Sequence, residues 1–222
     1  SRCSALMRIA GQDLLVDVTP DFRSQALREG LDNIDGVFIT HVHADHIFGL
    51  DDLRPLSLRR ETPIPVFADE ESAGQLRQIF EYIFKTEKRR LGIPWLVLRE
   101  IKPFEPFHLG AATLMPFPVI HGRWSCLGLR YKNSAYVTDA KRVPEESLAA
   151  LAGVEHLCLD LLQNQPHATH MSRAESLATV SALGSPKTWF IHMGHDIDHT
   201  PFDAALPPGC RLAHDGLSIP LV

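Results

Sequence analysis

The stretch Thr40-His41-Val42-His43-Ala44-Asp45-His46 directly follows the apolar run 36–39. Such a run is typical of a buried β-strand. Alternate side chains of an extended chain point the same way, so His41 and His43 can face one point. Asp45 and His46 begin a predicted helix and can face a neighbouring point. Imidazole nitrogens and carboxylate oxygens bind divalent ions such as zinc or manganese. A surface loop could carry the same residues, but such a cluster rarely follows a strand by chance, so the stretch predicts a metal site.

Length, composition and charge are those of an ordinary globular protein. The 222 residues are 45% apolar and 22% charged, which fits one large domain with a substantial core. The net charge of −5 argues against a generally basic surface that binds nucleic acid. Four scattered cysteines, none in a CxxC pair, favour a reducing, cytoplasmic compartment. No apolar run approaches the ~18 residues of a transmembrane helix, and we expect no membrane partner.

Strand and helix patterns alternate along the chain and predict an α/β fold. Strands are predicted over 4–9, 13–18, 36–40, 63–68, 107–109, 113–119, 126–131, 134–138, 154–160 and 187–191, and helices over 20–28, 69–82, 145–152 and 172–183. We expect the first two strands to form a hairpin and Pro55 to close a helix or turn that begins at Gly49. The charged segment 84–96 is either a solvated helix end or a mobile flap that meets an anionic substrate.

Three further polar residues, His121, Asp139 and His192, each follow an apolar strand. A metal pair needs ligands from distant parts of the chain, and α/β enzymes commonly present such residues at strand ends. We therefore expect these three to join the first cluster. Asp17 also ends an apolar strand, and we expect it to satisfy buried backbone groups or to orient a ligand rather than to bind metal.

The HxHxDH pattern of residues 41–46 resembles the metal-binding signature of the metallo-β-lactamase superfamily. The longer run 41–55, which ends in Gly-Leu-Asp-Asp-Leu-Arg-Pro, resembles the branch containing the phosphodiesterase of phosphonate catabolism that opens phosphoribosyl 1,2-cyclic phosphate. The resemblance covers nearly the whole chain. It implies a four-layered αββα sandwich that forms a single hydrolase domain over 1–222. It also implies that part of the N-terminus, which relatives carry before these residues, is missing.

The superfamily pattern also implies how the ligands divide between two divalent ions, zinc or manganese. One ion is held by His41, His43 and His121, the other by Asp45, His46 and His192, and Asp139 bridges both through its two carboxylate oxygens. Such a pair carries a hydroxide that attacks phosphorus, and it neutralises the charge that builds in the transition state. We expect Asp45 to act in catalysis as well as in metal binding.

Two histidines, His167 and His170, precede the last predicted helix. In the phosphodiesterase branch a histidine at the position of His170 protonates the leaving group, and an imidazole can supply that proton near neutral pH. The resemblance therefore implies that His170 is the general acid. His167 has two equally weighted interpretations, a functional role or a purely structural position at the start of the helix.

Ser172 and Glu175 predict a capping box at the start of that helix. His195 and His199 follow His192 and are assigned to a loop. Alternatively, these two histidines support the metal site or contact the substrate.

The leading interpretation is a dinuclear phosphodiesterase that hydrolyses a small, cyclic or linear, phosphate ester and forms a homodimer. A nuclease of the type that processes transfer-RNA 3′ ends shares the ligand pattern, but the negative net charge and the lack of a long inserted arm disfavour it. A lactonase, thioesterase or β-lactamase would act on carbonyl substrates with the same scaffold. A protein that binds metal and ligand without turnover is the remaining alternative.

Overall fold

The computed structural model describes residues 1–220, which contain twelve strands and eight α-helices. The strands are β1 Ala5–Ile9, β2 Gln12–Val16, β3 Gly36–Phe38, β4 Ile64–Ala68, β5 Leu96–Glu100, β6 Phe107–Leu109, β7 Ala112–His121, β8 Trp124–Tyr131, β9 Ser134–Val137, β10 His156–Asp160, β11 Lys187–Ile191 and β12 Cys210–Leu212. The helices are α1 Phe22–Glu29, α2 Ala44–Ile47, α3 Arg54–Ser57, α4 Glu70–Ile79, α5 Glu81–Phe84, α6 Glu145–Ala150, α7 Arg173–Ala182 and α8 His199–Ala204, with a 3₁₀-helix at Leu50–Leu53.

The first compact unit, Ser1–Thr113, is built on a five-stranded sheet in the order β1-β2-β3-β4-β5. β1 and β2 form an antiparallel hairpin whose turn residues, Ala10 and Gly11, have φ values of 47° and 76°. Such left-handed turns match the twist of the two strands. The pairs β2–β3, β3–β4 and β4–β5 are parallel. The apolar core of this unit includes the fully buried Val37, Ile39 and Leu50.

The second sheet has seven strands in the order β12-β11-β10-β9-β8-β7-β6. The boundary between the two units lies inside β7, and the second unit begins at Leu114. The strands from β12 to β9 are parallel neighbours, whereas β9–β8 and β8–β7 are antiparallel. Phe117, Val137, Leu159 and Phe190 are fully buried in the core of this unit.

The strand directions decide where the polar strand-end residues lie. In the first sheet β2 and β3 are parallel, so Asp17 and the 40–46 stretch follow at the same edge. In the second sheet β9, β10 and β11 are parallel, and β7 runs in the same direction because two antiparallel pairings restore it. His121, Asp139 and His192 therefore reach one edge of their sheet, as parallel α/β sheets present functional groups.

The α/β prediction is confirmed, and the predicted strands and helices recur with shifts of a few residues at their ends. Pro55 is an exception, because it does not close a helix. It lies in the first turn of α3, where its missing N–H would have no helical partner in any case. Four elements were not predicted as such: β5, α8, β12 and α5, which follows a break at Phe80 in the single helix predicted over 69–82. The single domain over 1–222 stays a prediction, and residues 221–222 lie outside the described part of the chain.

The charged segment 84–96 makes defined contacts within the first unit. The guanidinium groups of Arg89 and Arg90 donate to the backbone carbonyls of Leu58 and Tyr82. The Arg89 guanidinium also lies 5.5 Å from the centroid of the Trp95 ring. The two carbonyls belong to the ends of short helices, where basic side chains commonly satisfy them. These contacts favour the helix-end interpretation over a mobile flap.

Candidate metal centre

The first group of candidate ligands lies where β3 ends and α2 begins. His43 precedes α2 in an extended conformation, with φ −66° and ψ 151°. The ring centroid of His41 is 4.5 Å from that of His43 and 4.2 Å from that of His46. Asp45 Oδ2 lies 3.4 Å from His46 Nε2. The structure therefore brings together the four residues that the sequence stretch singled out.

Asp17, which is fully buried, orients the histidines of this group. Its carboxylate accepts hydrogen bonds from the Thr40 N–H at 2.8 Å, the Thr40 hydroxyl at 2.8 Å and His46 Nδ1 at 2.7 Å. Because the hydroxyl proton of Thr40 goes to Asp17, the hydroxyl oxygen accepts from His41 Nδ1, 3.1 Å away. Both imidazoles then carry their proton on Nδ1, which leaves Nε2 as the unprotonated, acceptor nitrogen of each ring. These contacts agree with the prediction that Asp17 satisfies buried backbone groups or orients a candidate ligand.

In the second unit, Asp139 lies among three histidines. Its Oδ1 is 3.3 Å from His192 Nε2, whereas its Oδ2 is 4.0 Å from His121 Nε2 and 3.8 Å from His170 Nε2. Ligand atoms of Asp139, His170 and His192 all lie within 4.8 Å of one another. The two carboxylate oxygens of Asp139 therefore face different imidazoles.

The donor atoms of the second group fit a divalent ion. Two ligands of a tetrahedral ion with bonds of about 2.1 Å lie roughly 3.4 Å apart, and His192 Nε2 and Asp139 Oδ1 are separated by 3.3 Å. Both groups offer imidazole and carboxylate, a donor set that zinc and manganese both accept. The geometry and the donor chemistry thus support a metal-binding role.

Asp17 and two residues of the second group, Asp139 and His192, have a left-handed backbone although none is glycine. The φ values are 59° at Asp17, 51° at Asp139 and 59° at His192, and each residue follows a strand within two positions. Such conformations cost on the order of 1–3 kcal/mol each and persist where surrounding contacts fix them. Residue type does not distinguish these positions, so the sequence gives no sign of the strain.

His121 is held by the loop that leads to α7. Its Nδ1 donates to the Thr169 carbonyl at 2.9 Å, which makes Nε2 the acceptor atom of the ring. Gly122 permits this close approach, because a Cβ at position 122 would lie 2.7 Å from Thr169 Cγ2. The backbone of Gly122 is also left-handed, with φ 62°. The loop therefore sets the orientation of a candidate ligand.

His167 braces the same loop. Its Nδ1 accepts a hydrogen bond from the Thr169 N–H at 3.3 Å. Burial lowers the pKa of His167, and the nearby His170 and Lys141 lower it further. A neutral ring that accepts at Nδ1 suits a structural role at the helix entry.

His170 is oriented by a second buried carboxylate, Asp160, which the sequence patterns did not single out. His170 Nδ1 donates to Asp160 Oδ2 at 2.9 Å, and the same oxygen accepts the Ala140 N–H at 2.7 Å. The His170 ring stacks on that of His192, with centroids 4.9 Å apart and an interplanar angle of 13°. Asp160 ends the apolar strand β10 just as Asp17 follows β2, and this repeated pattern could have identified it.

Two further histidines considered from the sequence make surface contacts. The His195 side chain is 99% exposed, and its Nε2 lies 3.2 Å from Asp196. His199 begins α8, and its Nε2 donates to the Ala213 carbonyl at 3.1 Å. These contacts agree with the assignment of His195 to a loop and place His199 at a helix start.

Residues 12–193 match the family model described as the beta-lactamase superfamily domain. The chain belongs to this superfamily. The predicted metallo-β-lactamase fold is thereby confirmed. The crystal structure of a diphosphatase from the PhnP family is 39% identical, and the match covers 97% of this chain and 82% of that chain with a TM-score of 0.90. This superfamily member is a metal-dependent hydrolase.

Two curated relatives have other names. A protein of Porphyromonas gingivalis named octanoyltransferase is 34% identical over 210 residues, which are 94% of this chain and 42% of that protein. This chain therefore spans less than half of that relative. The anti-Pycsar protein Apyc1 of Paenibacillus harenae is 27% identical over 213 residues, and the match covers 88% of this chain and 84% of the relative.

Within residues 1–220, no helix is both long enough and apolar enough to cross a membrane.

Proposed function

We propose that this hydrolase is a dinuclear phosphodiesterase that cleaves a small phosphate diester, cyclic or linear. The observation that carries the proposal is the 39% identity to a PhnP-family diphosphatase over 97% of the chain. A diphosphatase cleaves a phosphorus–oxygen bond, and the imidazole and carboxylate groups suit hydrolysis at phosphorus. The name octanoyltransferase belongs to a protein of which this chain covers 42%, so it names no substrate for this chain.

We propose seven ligands for two divalent ions, zinc or manganese. His41, His43 and His121 would hold one ion, Asp45, His46 and His192 the other, and Asp139 would bridge them. Two observations support this division. The Nδ1 contacts of His41, His46 and His121 leave Nε2 as the ligand atom of each ring. The two oxygens of Asp139 face different histidines, as a bridging carboxylate requires.

When bound, the two ions would lower the pKa of a water molecule and offset negative charge on the phosphoryl oxygens. The protein then has to position the reacting groups and deliver a proton. We propose Asp45 as a catalytic residue that would hold a proton of the attacking water, because its side chain is 42% exposed beside His46.

We propose His170 as the general acid. Its Nδ1 donates to Asp160, so the ring acts as an acid in its imidazolium form, in which Nε2 also carries a proton and would give that proton to the leaving oxygen. Nε2 lies 3.8 Å from Asp139 Oδ2, which places it beside the proposed bridging ligand. The same position would allow His170 to bind metal with Asp139 and His192, and the metal content of a His170 variant separates the two roles.

We also propose a cytoplasmic location, a small-molecule substrate and a homodimer. The scattered cysteines support the first. The negative net charge disfavours a polyanionic substrate such as RNA.

The test is hydrolysis of a chromogenic phosphodiester by protein reconstituted with zinc or manganese. A phosphomonoester, a β-lactam and a thioester are assayed beside it, and cyclic ribose phosphates and a diphosphate diester follow. We expect turnover selective for diesters. Asp139→Ala should abolish turnover and lower the metal content, because the bridge is lost. His170→Ala should retain two ions and lose about 10²-fold or more in turnover.

Two outcomes would overturn parts of this proposal. Turnover of the carbonyl substrates alone would exclude the phosphodiesterase assignment but leave the metal site intact. Loss of one ion from His170→Ala would show that His170 is a ligand and not the acid.

A further inference from the structure

We infer that Trp124 is a specificity-determining residue whose indole stacks on a planar ring of the substrate, so that the phosphate ester carries an aromatic group such as a nucleobase. This inference rests on the proposed function, since it names the class of ester that the same site takes. Trp124 is the first residue of β8 and belongs to none of the seven proposed ligands.

The register of the β7–β8 hairpin places Trp124 beside a proposed ligand. Trp124 pairs directly with His121, and directly opposed residues of an antiparallel pair lie on the same face of the sheet. The two ring centroids are 6.3 Å apart, with an interplanar angle of 34°. The centroid of the His170 ring lies 4.7 Å from that of the His121 ring. A substrate held beside these two histidines is therefore within reach of the indole.

The short turn between the two strands holds the indole in place. The turn consists of two residues, Gly122 and Arg123. Gly122 packs against the loop before α7, since a Cβ at this position would lie 2.7 Å from Thr169 Cγ2. A two-residue connection leaves little freedom to the residues that flank it. Trp124 thus has a defined position relative to the loop that carries the proposed acid.

The exposure of Trp124 is unusual for so large an apolar side chain. The residue is 45% exposed, and the other two tryptophans, Trp95 and Trp189, are less exposed. The Arg123 guanidinium lies 4.6 Å from the centroid of the Trp124 ring. Nucleobases stack on tryptophan rings and on guanidinium planes alike. The pair therefore offers a stacking surface whichever of its two planes the substrate ring meets.

The experiment compares two inhibitors, adenosine 5′-monophosphate and ribose 5-phosphate, in which a hydroxyl replaces the base. Each competes with a chromogenic phosphodiester for the metal-reconstituted enzyme. We expect the nucleotide to inhibit the wild type about 10-fold or more tightly, because a stacked base contributes on that scale. Trp124→Ala should remove most of this difference, whereas Trp124→Phe should retain most of it. Trp189→Phe is the matched control, because that indole stacks on His156 at the start of β10, and it should leave the difference unchanged.

The two inhibition constants are compared within one protein sample, so partial loss of metal or of folded protein leaves their ratio unchanged. A wild-type enzyme that both compounds inhibit equally would overturn the inference while the phosphodiesterase assignment stands. Equal ratios for Trp124→Ala and the wild type would also overturn it. A change of oligomeric state in that variant would then assign the indole to a subunit contact.

Binding is also measured without turnover, by the quenching of indole fluorescence excited beyond the absorbance of adenine. We expect the nucleotide to quench the metal-loaded protein, Trp124→Phe to lose this signal and Trp189→Phe to keep it. Such quenching in a protein that hydrolyses no diester would refute the proposed function and support the inference. Quenching that persists in Trp124→Phe would overturn the inference.

Discussion

Two buried aspartates, Asp17 and Asp160, act on histidines in the same way. Each accepts one peptide N–H at a neighbouring strand end and one imidazole Nδ1–H, and each is 0% exposed. Metal-binding histidines commonly donate their second nitrogen to such a carboxylate, which fixes the ring and its tautomer. Side chains that never touch an ion can therefore control how well the ion is held.

We predict that Asp17→Asn weakens metal binding about 10–100-fold. The amide oxygen can still accept the Thr40 N–H, so the amide nitrogen takes the place of Oδ2. There it donates to His46 Nδ1 and moves the imidazole proton to Nε2, the proposed ligand atom. Competition with a chromophoric chelator measures the affinity. Asp21→Asn, which alters a carboxylate paired with Arg2 at 3.0 Å, is the control. Equal affinities for Asp17→Asn and the wild type would contradict the orienting role.

The sequence identified the seven proposed ligands and His170 because each follows a strand or belongs to a recognisable pattern. Asp160 was not singled out because a single aspartate after an apolar run is common, although Asp17 after β2 shows the same pattern. The left-handed backbone of Asp139 and His192 could not be predicted either, since aspartate and histidine adopt it more often than most residues but not often enough for residue type to indicate it. These features depend on tertiary contacts, which residue types alone do not predict.

The segment between α2 and α3, which contains most of the Gly-Leu-Asp-Asp-Leu-Arg-Pro run of residues 49–55, shows that a recognisable motif can have a packing role. Leu50 and Leu53 of the 3₁₀-helix are fully buried, and Asp51 accepts a hydrogen bond from the Tyr82 hydroxyl at 3.0 Å. Burial raises the pKa of Tyr82, and the Asp51 carboxylate adds to the shift, which brings it to about 12. This hydroxyl therefore stays a donor throughout the neutral range. The segment therefore has a packing role in the core of the first unit, directly after the stretch 41–46.

Gly49→Ala tests this packing. A Cβ at position 49 would lie 2.0 Å from the Thr19 carbonyl oxygen, so the backbone must shift. We predict a loss of about 1–3 kcal/mol in the free energy of unfolding, measured by urea denaturation. Gly74→Ala in α4 is the matched control, because its added Cβ meets nothing within 4 Å. In a helix interior that change should stabilise by up to about 1 kcal/mol. Equal effects of the two substitutions would refute the packing argument.

Some elements and their ends follow from local sequence patterns, whereas others depend on contacts with distant residues. The strand 187–191 and the capping box of Ser172 and Glu175 agree with the sequence patterns, because β-forming residues and cap chemistry act locally. β12 has three residues and forms only by pairing with β11, so its own pattern is too short to show it. Pro55 was assigned to a helix end because proline disfavours helical residues before it, yet it occupies a first turn.

At the scale of the molecule, stability in acid depends on carboxylates that the fold keeps ionised. Burial opposes the charge of Glu175, but hydrogen bonds from Lys141 and from Ser172 outweigh it and lower its pKa to about 2. A carboxylate with a lowered pKa stabilises the folded state above its unfolded pKa, and the contribution is lost as the pH falls through the folded value. The relevant window lies between the ordinary glutamate pKa of 4.5 and about 2.

We therefore predict that Glu175→Gln lowers the free energy of unfolding by about 1 kcal/mol at pH 7, a modest figure because the side chain is partly solvated. The difference from the wild type should shrink as the pH is lowered from about 4.5 towards 2. Glutamine preserves the cap hydrogen bond, so the effect isolates the charge. Urea denaturation at pH 7 and pH 3 measures it, with the exposed Glu146→Gln as control. A difference that grows in acid would have the wrong sign for this mechanism.

The loop 167–170 has a consequence for engineering this enzyme. This short segment supplies the carbonyl that orients His121, the His167 ring that accepts the Thr169 N–H, and the proposed acid His170. Insertions or grafts that aim to change substrate preference would therefore damage metal affinity and proton delivery together. The segment 84–96 offers a safer place for randomised libraries, provided that the anchoring arginines Arg89 and Arg90 are retained.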